Sequence, residues 1–157
     1  MEIGDHVQIK KGGWLMAKKM DEHIPQLVIR GPARIGYHAT ISAVRDVYIG
    51  SNINIAERVF ITDSSHQYEN ITTPIWKQPI MFIGSTHIGD DTWIGINVSI
   101  LGAKVGRHCV IGANSVVIKD IPDYCVAAGS PAKVIKRYNF QTSKWERVDK
   151  NGEFSNE

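Results

Sequence analysis

The chain has 157 residues, of which 43% are hydrophobic and 22% are charged. This length fits one compact domain, and the composition is that of a globular protein and excludes wholesale disorder. The formal net charge of +2 is small, so it does not indicate sequence-independent binding to nucleic acid. No apolar stretch reaches the length of a membrane span, the first residues do not resemble a signal peptide, and two cysteines make no disulfide framework. We therefore expect a cytoplasmic protein.

The chain is built on a six-residue repeat. Eight of its fourteen glycines directly follow an isoleucine or a valine. A period of six fits neither a helix nor a simple strand, but it is typical of short strands joined by turns, in stacked coils that bury one apolar residue per repeat. We expect the glycine to supply a bend conformation that other residues resist. The predicted inward residues are Ile29, Ile35, Ile41, Ile49, Ile55, Ile61, Ile88, Ile94, Ile100, Val105, Ile111 and Val117, with smaller core residues such as Val98 and Cys109 four positions after an anchor.

Both ends of the chain depart from the repeat. Residues 10–27 are expected to form an irregular N-terminal cap, in which Trp14 and Leu15 cover the first coil. Residues 1–137 are then the β-helix domain, and residues 138–157 form a C-terminal hairpin or tail that closes it. The hairpin is predicted from an Asn-Gly pair that lies between apolar and aromatic runs, and terminal repeats need such a cap.

Three interruptions lie inside the repeat. Around residues 44–46, between Ile41 and Ile49, the repeat is two residues too long, and after Ile100 it is one residue too short. The largest interruption covers residues 62–80. Because insertions in a repeat protein form loops, and loops often carry function, we expect this segment to be the active-site loop.

His66 stands where the coil ends and this long loop begins. An imidazole is largely neutral at pH 7, so it is able to accept a proton from a reacting hydroxyl. A lone histidine in a loop is also commonly a hydrogen-bonded surface residue. The residue pattern alone leaves both interpretations open.

Three strings in the second half of the chain are more specific than any single repeat. They are Trp-Ile-Gly at 93–95, Gly-Ala-Asn-Ser-Val-Val at 112–117 and Ala-Gly-Ser-Pro-Ala-Lys-Val-Ile at 128–135. Together they resemble the hexapeptide-repeat, acetyl-CoA-dependent sugar O-acetyltransferases. The likeness covers about residues 29–148. It is closest to the enzymes that acetylate surface polysaccharides and to the galactoside and maltose acetyltransferases.

This resemblance implies an all-β fold, a left-handed parallel β-helix of triangular cross-section with an extruded loop and a C-terminal cap. It also implies transfer of an acetyl group to a sugar hydroxyl, with His66 as the general base. Asp63 and Glu69 are candidates to orient the imidazole or to bind the acceptor. Tyr68 and Trp76 are candidates to stack on a sugar or to anchor the loop, and we favour anchoring. The oxyanion donor stays open.

The resemblance further implies a homotrimer, with acetyl-CoA as the donor substrate in a groove between adjacent subunits and with no metal required. Relatives often carry arginine at the two positions that would meet the adenosine phosphates, where this chain has lysine, and a hydroxyl residue where it has Ile118. Seven residues match the groove positions: Trp93 and Ile96 near the thioester arm, Ala113 along the pantetheine, Ile118 and Lys119 further down, and Lys133 and Lys136 at the phosphates.

Two alternatives stay open. The same fold hosts zinc carbonic anhydrases, which carry two histidine ligands five residues apart, and a non-catalytic scaffold is the other possibility. We expect His87 and His108 to be turn residues. No pair with the zinc spacing is found among the six histidines, which are His6, His23, His38, His66, His87 and His108.

Overall fold

The computed structural model describes residues 1–149 and 151–155. Within these residues helical structure is limited to one 3₁₀ turn at Ile75–Lys77, and no helix is long and apolar enough to cross a membrane. Short strands make up the rest of the regular structure. In chain order they are β1 Glu2–Ile3, β2 Val7–Ile9, β3 Trp14–Ala17, β4 Gln26–Ile29, β5 Ala33–Ile35, β6 Thr40–Ala43, β7 Asp46–Ile49, β8 Ile53–Ile55, β9 Phe60–Thr62, β10 Ser64–His66, β11 Ile80–Phe82, β12 Thr86–Ile88, β13 Trp93–Ile94, β14 Ser99–Leu101, β15 Lys104–Val105, β16 Val110–Ile111, β17 Val116–Val117, β18 Cys125–Gly129, β19 Ala132–Asn139 and β20 Lys144–Arg147.

Successive strands lie on three faces of a coil, and each face is a parallel sheet. Face A contains β1, β4, β7, β12 and β15; Face B contains β2, β5, β8, β13, β16 and β18; Face C contains β3, β6, β9, β14 and β17. The register places Ile29 beside Ile49 and Ile49 beside Ile88, so equivalent repeat positions stack from coil to coil. The chain turns through three corners, which we name AB, BC and CA after the faces that they join.

The interior of the coil is filled by the predicted anchors. Ile94, Val98 and Ile111 are fully buried and Cys109 is 1% exposed, which confirms their assignment to the core. Burial raises the pKa of the Cys109 thiol to about 11 and also raises the pKa of the Cys125 thiol. Both sulfurs are therefore protonated and inert at neutral pH, since the thiolate is the reactive form.

The expected reason for the repeat glycines is wrong for all of them except Gly84, which has a positive φ of 139°. A Cβ atom on Gly36 would lie 2.5 Å from the carbonyl carbon of Ala56, and one on Gly89 would lie 2.6 Å from the amide nitrogen of Arg107. Glycine is thus required because the next coil approaches too closely for a side chain. The left-handed backbone conformation falls instead on other residues of the AB and BC corners: His6, His38, Asn52, Arg58, Asp91, Asn97, His108, Asn114 and Tyr124.

The first coil is more regular than the sequence indicates. Within the segment 10–27, expected to be irregular, Trp14–Ala17 forms β3 and pairs with β6 on Face C. Leu15 lies beside Ile41 and packs against the core, so it supplies the inward residue of this face. Trp14 is 62% exposed and does not cover the coil.

The parallel coil ends earlier than residue 137. Strand β19 already runs antiparallel to β18, and β20 runs antiparallel to β19, so the cap begins at Ala132. The main hairpin turn lies at residues 140–143, where Ser143 has a positive φ of 55°. The predicted Asn151-Gly152 turn follows as a second reversal that brings Val148 beside Phe154. Lys150, within the predicted turn, lies outside the described residues.

Candidate active site

The long interruption forms an antiparallel ribbon, which we call the arm (residues 64–82). Strands β10 and β11 pair along it, and His66 lies opposite Ile80. The arm leaves the coil at the CA corner. Its base is closed by a hydrogen bond from the Ile83 amide to the Asp63 carbonyl oxygen, at 2.9 Å. Ile83 therefore lies directly after the arm, and it is 37% exposed.

The tip of the arm is held by Gln78. This side chain is 9% exposed, and its amide nitrogen donates to the carbonyl oxygens of Asn70 and Thr73, both at 2.9 Å. Tyr68 and Trp76 are 64% and 75% exposed, so the favoured interpretation that they anchor the loop is wrong for the single chain. The Lys77 ammonium nitrogen lies 5.2 Å from the centre of the Trp76 ring. Nothing in the sequence pattern around Gln78 indicates its role.

His66 ends β10 with its side chain exposed. Neither carboxylate that the sequence offers as its orienting partner reaches it. Glu69 accepts a hydrogen bond from the Tyr68 amide through Oε2, at 3.0 Å. The exposed position leaves the ring of His66 accessible to a substrate.

Asp63 differs most from its expected role. It is fully buried, and its two carboxylate oxygens accept three backbone N–H groups. Oδ1 accepts from Val44 at 2.8 Å, and Oδ2 accepts from Arg45 and Asp46, each at 2.7 Å. A buried carboxylate with both oxygens occupied is unavailable to an acceptor sugar or to the His66 ring. Asp63 therefore belongs to the support of the arm.

The interruption at residues 44–46, which we call the support corner, also contacts the last residue of the arm, where the ribbon returns to the coil. The Arg45 guanidinium lies 5.0 Å from the centre of the Phe82 ring and donates to Asp21 at 3.0 Å. The Asp46 carboxylate lies 2.7 Å from Nε2 of His87, just beyond the arm. His87 is thus a residue of β12 and not the predicted turn residue. The two interruptions are neighbours in space, and the shorter one supports the longer.

Asp46→Asn is expected to reduce the loss of stability in acid. Partial burial opposes ionisation of Asp46, but the adjacent Ser85 and His87 and the charge of Lys104 outweigh it and lower the pKa of the carboxyl. Because this pKa is lower in the folded than in the unfolded chain, ionised Asp46 stabilises the fold above about pH 4, and the contribution is lost as the pH falls below that value. Urea unfolding of wild type and variant between about pH 6 and pH 3 should show their free energies converging in acid. A constant difference would contradict this.

Three of the residues matched to coenzyme A lie on and beside Face B. Trp93 points outward from β13 and is 51% exposed. Ile96 and Ala113 follow at the BC corner on successive coils, joined by a hydrogen bond from the Asn114 amide to the Ile96 carbonyl oxygen at 2.9 Å. The structure therefore places Ile96 and Ala113 together at one corner of the prism and Trp93 on the adjoining face.

The four remaining coenzyme positions divide into two pairs. Lys133 and Lys136 are exposed on β19, which extends Face B. A cavity of about 380 Å³ places Lys136 beside Trp93, His108 and Trp145. The sequence did not indicate that His108 and Trp145 lie beside these coenzyme positions. Trp145 reaches them because β20 runs back over the coil. The second pair lies apart from them, at the CA corner below the arm: Ile118 and Lys119.

The histidines are dispersed over the molecule. His108 lies at the AB corner with a φ of 52°, which confirms it as a turn residue, and His23 contacts Asp21 at 2.9 Å. Among the described residues no group of three or more His, Cys, Asp or Glu side chains lies close enough to hold a metal ion.

Residues 85–119 match the family model described as bacterial transferase hexapeptide (six repeats). The chain is 38% identical over 147 residues to the probable acetyltransferase Rv3034c of Mycobacterium tuberculosis, in a match that covers 93% of this chain and 46% of the relative. It is 37% identical over 122 residues to the putative lipopolysaccharide biosynthesis O-acetyl transferase WbbJ of Escherichia coli, with 73% and 62% covered.

Among solved structures, a maltose O-acetyltransferase from Clostridium difficile superposes with a TM-score of 0.58 at 28% identity. The match covers 87% of this chain and 65% of that one. The chain spans less than two thirds of the length of each of these three proteins.

Proposed function

The chain is a member of the hexapeptide-repeat family and has its left-handed β-helix fold, and we propose that it transfers an acetyl group from acetyl-CoA to a hydroxyl of a sugar, with His66 as general base. One observation carries the proposal. The only long insertion in the coil between β4 and β18 places an accessible histidine on the arm, and the same chain has Trp93 and Lys136 beside one cavity and Ala113 at the adjoining BC corner.

The chemistry requires a base, an electrophile and a leaving group. The neutral His66 ring removes the proton of the sugar hydroxyl as its oxygen attacks the thioester carbonyl. The C–S bond then breaks, and the imidazolium returns its proton to the departing sulfur, which leaves as the thiol of coenzyme A. The ester and the free thiol are the products, and the histidine ends in its original state.

The donor wall is the surface that carries Trp93, Ala113, Lys133 and Lys136, and its residue types support coenzyme A as the ligand. Ala113 presents a small, exposed side chain at the BC corner, and Trp93 presents a broad apolar surface on the adjoining face. Lys133 and Lys136 are exposed cations on the strand that continues this wall. A lysine ammonium acts toward phosphate as a flexible point charge, so the two would attract the adenosine phosphates without the fixed fork of arginine.

We further propose that the active site forms between copies of the chain in a homotrimer. His66 leaves the prism at the CA corner, whereas Trp93 lies on Face B and Ala113 at the BC corner, so Face C separates the base from these two residues. A three-fold assembly brings the CA corner of one copy to the donor wall of the next. The similarity to WbbJ, a putative lipopolysaccharide biosynthesis O-acetyl transferase, supports a precursor of a surface polysaccharide as acceptor. We also propose a cytoplasmic location.

The test is a transfer assay with purified protein. Acetyl-CoA is mixed with a panel of mono- and oligosaccharide acceptors, and released thiol is followed with a chromogenic disulfide. The protein's own sulfurs should not interfere, since Cys109 and Cys125 are 1% and 0% exposed. We expect acceptor-dependent thiol release and an acetylated sugar by mass spectrometry. Absence of coenzyme A binding together with stoichiometric zinc would overturn the proposal in favour of the metal enzyme.

A further inference from the structure

We propose that Asp63 is a positioning residue, whose buried carboxylate fixes the direction in which the arm presents His66. The inference rests on the proposed role of His66 as general base. In this role Asp63 contacts neither the substrate nor the imidazole, because both of its carboxylate oxygens accept hydrogen bonds from the support corner.

The carboxylate is suited to this position in a way that no neutral side chain is. Three successive amides, those of Val44, Arg45 and Asp46, point at one group that is fully buried. An ionised carboxylate has acceptor capacity on both oxygens, whereas the amide of an asparagine would present N–H donors to at least one of these N–H groups. A donor facing a buried donor leaves both unsatisfied, which is costly.

Asp63 is three residues from His66 and is the last residue held by the coil before the arm begins. On the entering side, the Thr62 carbonyl oxygen accepts from the Thr86 hydroxyl at 2.8 Å. On the returning side, Ile83 donates to Asp63 and Arg45 covers Phe82. Beyond this base, β10 pairs with β11, within the arm itself. The direction of the ribbon, and with it the position of the His66 ring, is therefore set where Asp63 meets the support corner.

General-base catalysis is sensitive to the position of the His66 ring, because displacement of a catalytic group by about 1 Å costs on the order of a hundredfold in rate. Trp93, Ala113 and Lys136 should not be affected by this change, since they belong to Face B, its extension and the BC corner. A defect confined to Asp63 should thus lower kcat and spare the KM for acetyl-CoA.

The experiment is a double-mutant cycle with Asp63→Asn, His66→Ala and the pair. We expect Asp63→Asn to lower kcat, per folded protein, at least about thirtyfold with an unchanged KM for acetyl-CoA, and to add nothing to the loss in the His66→Ala background. Additive losses would overturn the proposal, because Asp63 would then act independently of His66. The matched control is Asp90→Asn. The Asp90 carboxylate lies away from the arm and accepts a hydrogen bond from the Ser51 amide at 2.8 Å.

Hydrogen exchange of arm amides and limited proteolysis within residues 67–79 provide a readout that needs no activity. Asp63→Asn should raise both, and unchanged protection would overturn the proposal even if His66 proved not to be the base. If Asp63→Asn does not fold, Arg45→Ala serves instead, since its side chain lies at the surface and holds Phe82. We expect it to lower kcat several-fold and to increase exchange in β11, and no change in either would contradict the positioning role.

Discussion

His66→Ala should lower kcat for acetyl transfer about a thousandfold, which corresponds to roughly 4 kcal/mol of transition-state stabilisation. The sugar hydroxyl is a weak nucleophile, and without a base its proton must leave to water during attack. The Kd for coenzyme A, measured by calorimetry, should stay at its wild-type value, because the donor wall does not include the arm. Steady-state kinetics at saturating acetyl-CoA then isolates the chemical step.

The control for this variant is His23→Ala, which removes another surface histidine whose side chain is 60% exposed and which contacts Asp21. Its kcat should match that of wild type. Wild-type turnover by His66→Ala would exclude His66 as the base. A parallel loss of coenzyme A binding would instead mean that the arm contributes to the donor site.

Activity should reappear when two inactive variants assemble together. Ala113→Trp fills the BC corner and is expected to block coenzyme A, while His66→Ala lacks the base. If each site takes its histidine from one copy and its donor wall from the next, every mixed trimer has one intact site in three, so about a third of wild-type activity should return. Neither variant alone should show acetyl-transfer activity.

The co-assembly experiment uses two different affinity tags and purification on both, so that only mixed oligomers are assayed. Separately purified Ala113→Trp and His66→Ala, mixed without refolding, are the control and should stay inactive. Mixed oligomers that remain inactive would show that each site lies within one copy. A chain that is monomeric by light scattering would remove the basis of the two-copy site.

The coil could be predicted from the sequence because its determinants are local and recur. Each coil requires the same apolar anchor and glycine at the same spacing, so Ile49, Ile55 and Ile61 indicate one turn of the prism without any long-range information. The reason for the glycines was not accessible in this way. It depends on contact between Gly36 and Ala56 in the next coil, and such contacts follow from the stacking rather than from the repeat.

The architecture of the candidate site was less predictable. His66 is marked by its position in the interruption, but the partners of Asp63 lie 17 to 19 residues earlier in the chain. Strands β10 and β11 are joined by a long tip without the short Gly-containing turn that signals a hairpin. In the C-terminal tail, the Asn151-Gly152 pair predicts only the second reversal of the chain. The main turn depends on Asn139, whose side-chain oxygen accepts the Gln141 amide at 2.9 Å.

The three corners of the prism are not equal. At the AB and BC corners glycines such as Gly36 and Gly89 bring successive coils into backbone contact, and the corners keep nearly constant length. Both long insertions, residues 18–25 and 63–85, leave from the CA corner. Long insertions of this chain therefore lie on one edge of the molecule. A lineage that acquired a different acceptor would need to exchange only the segment on that edge, and the same freedom makes the arm the natural unit for grafting between relatives.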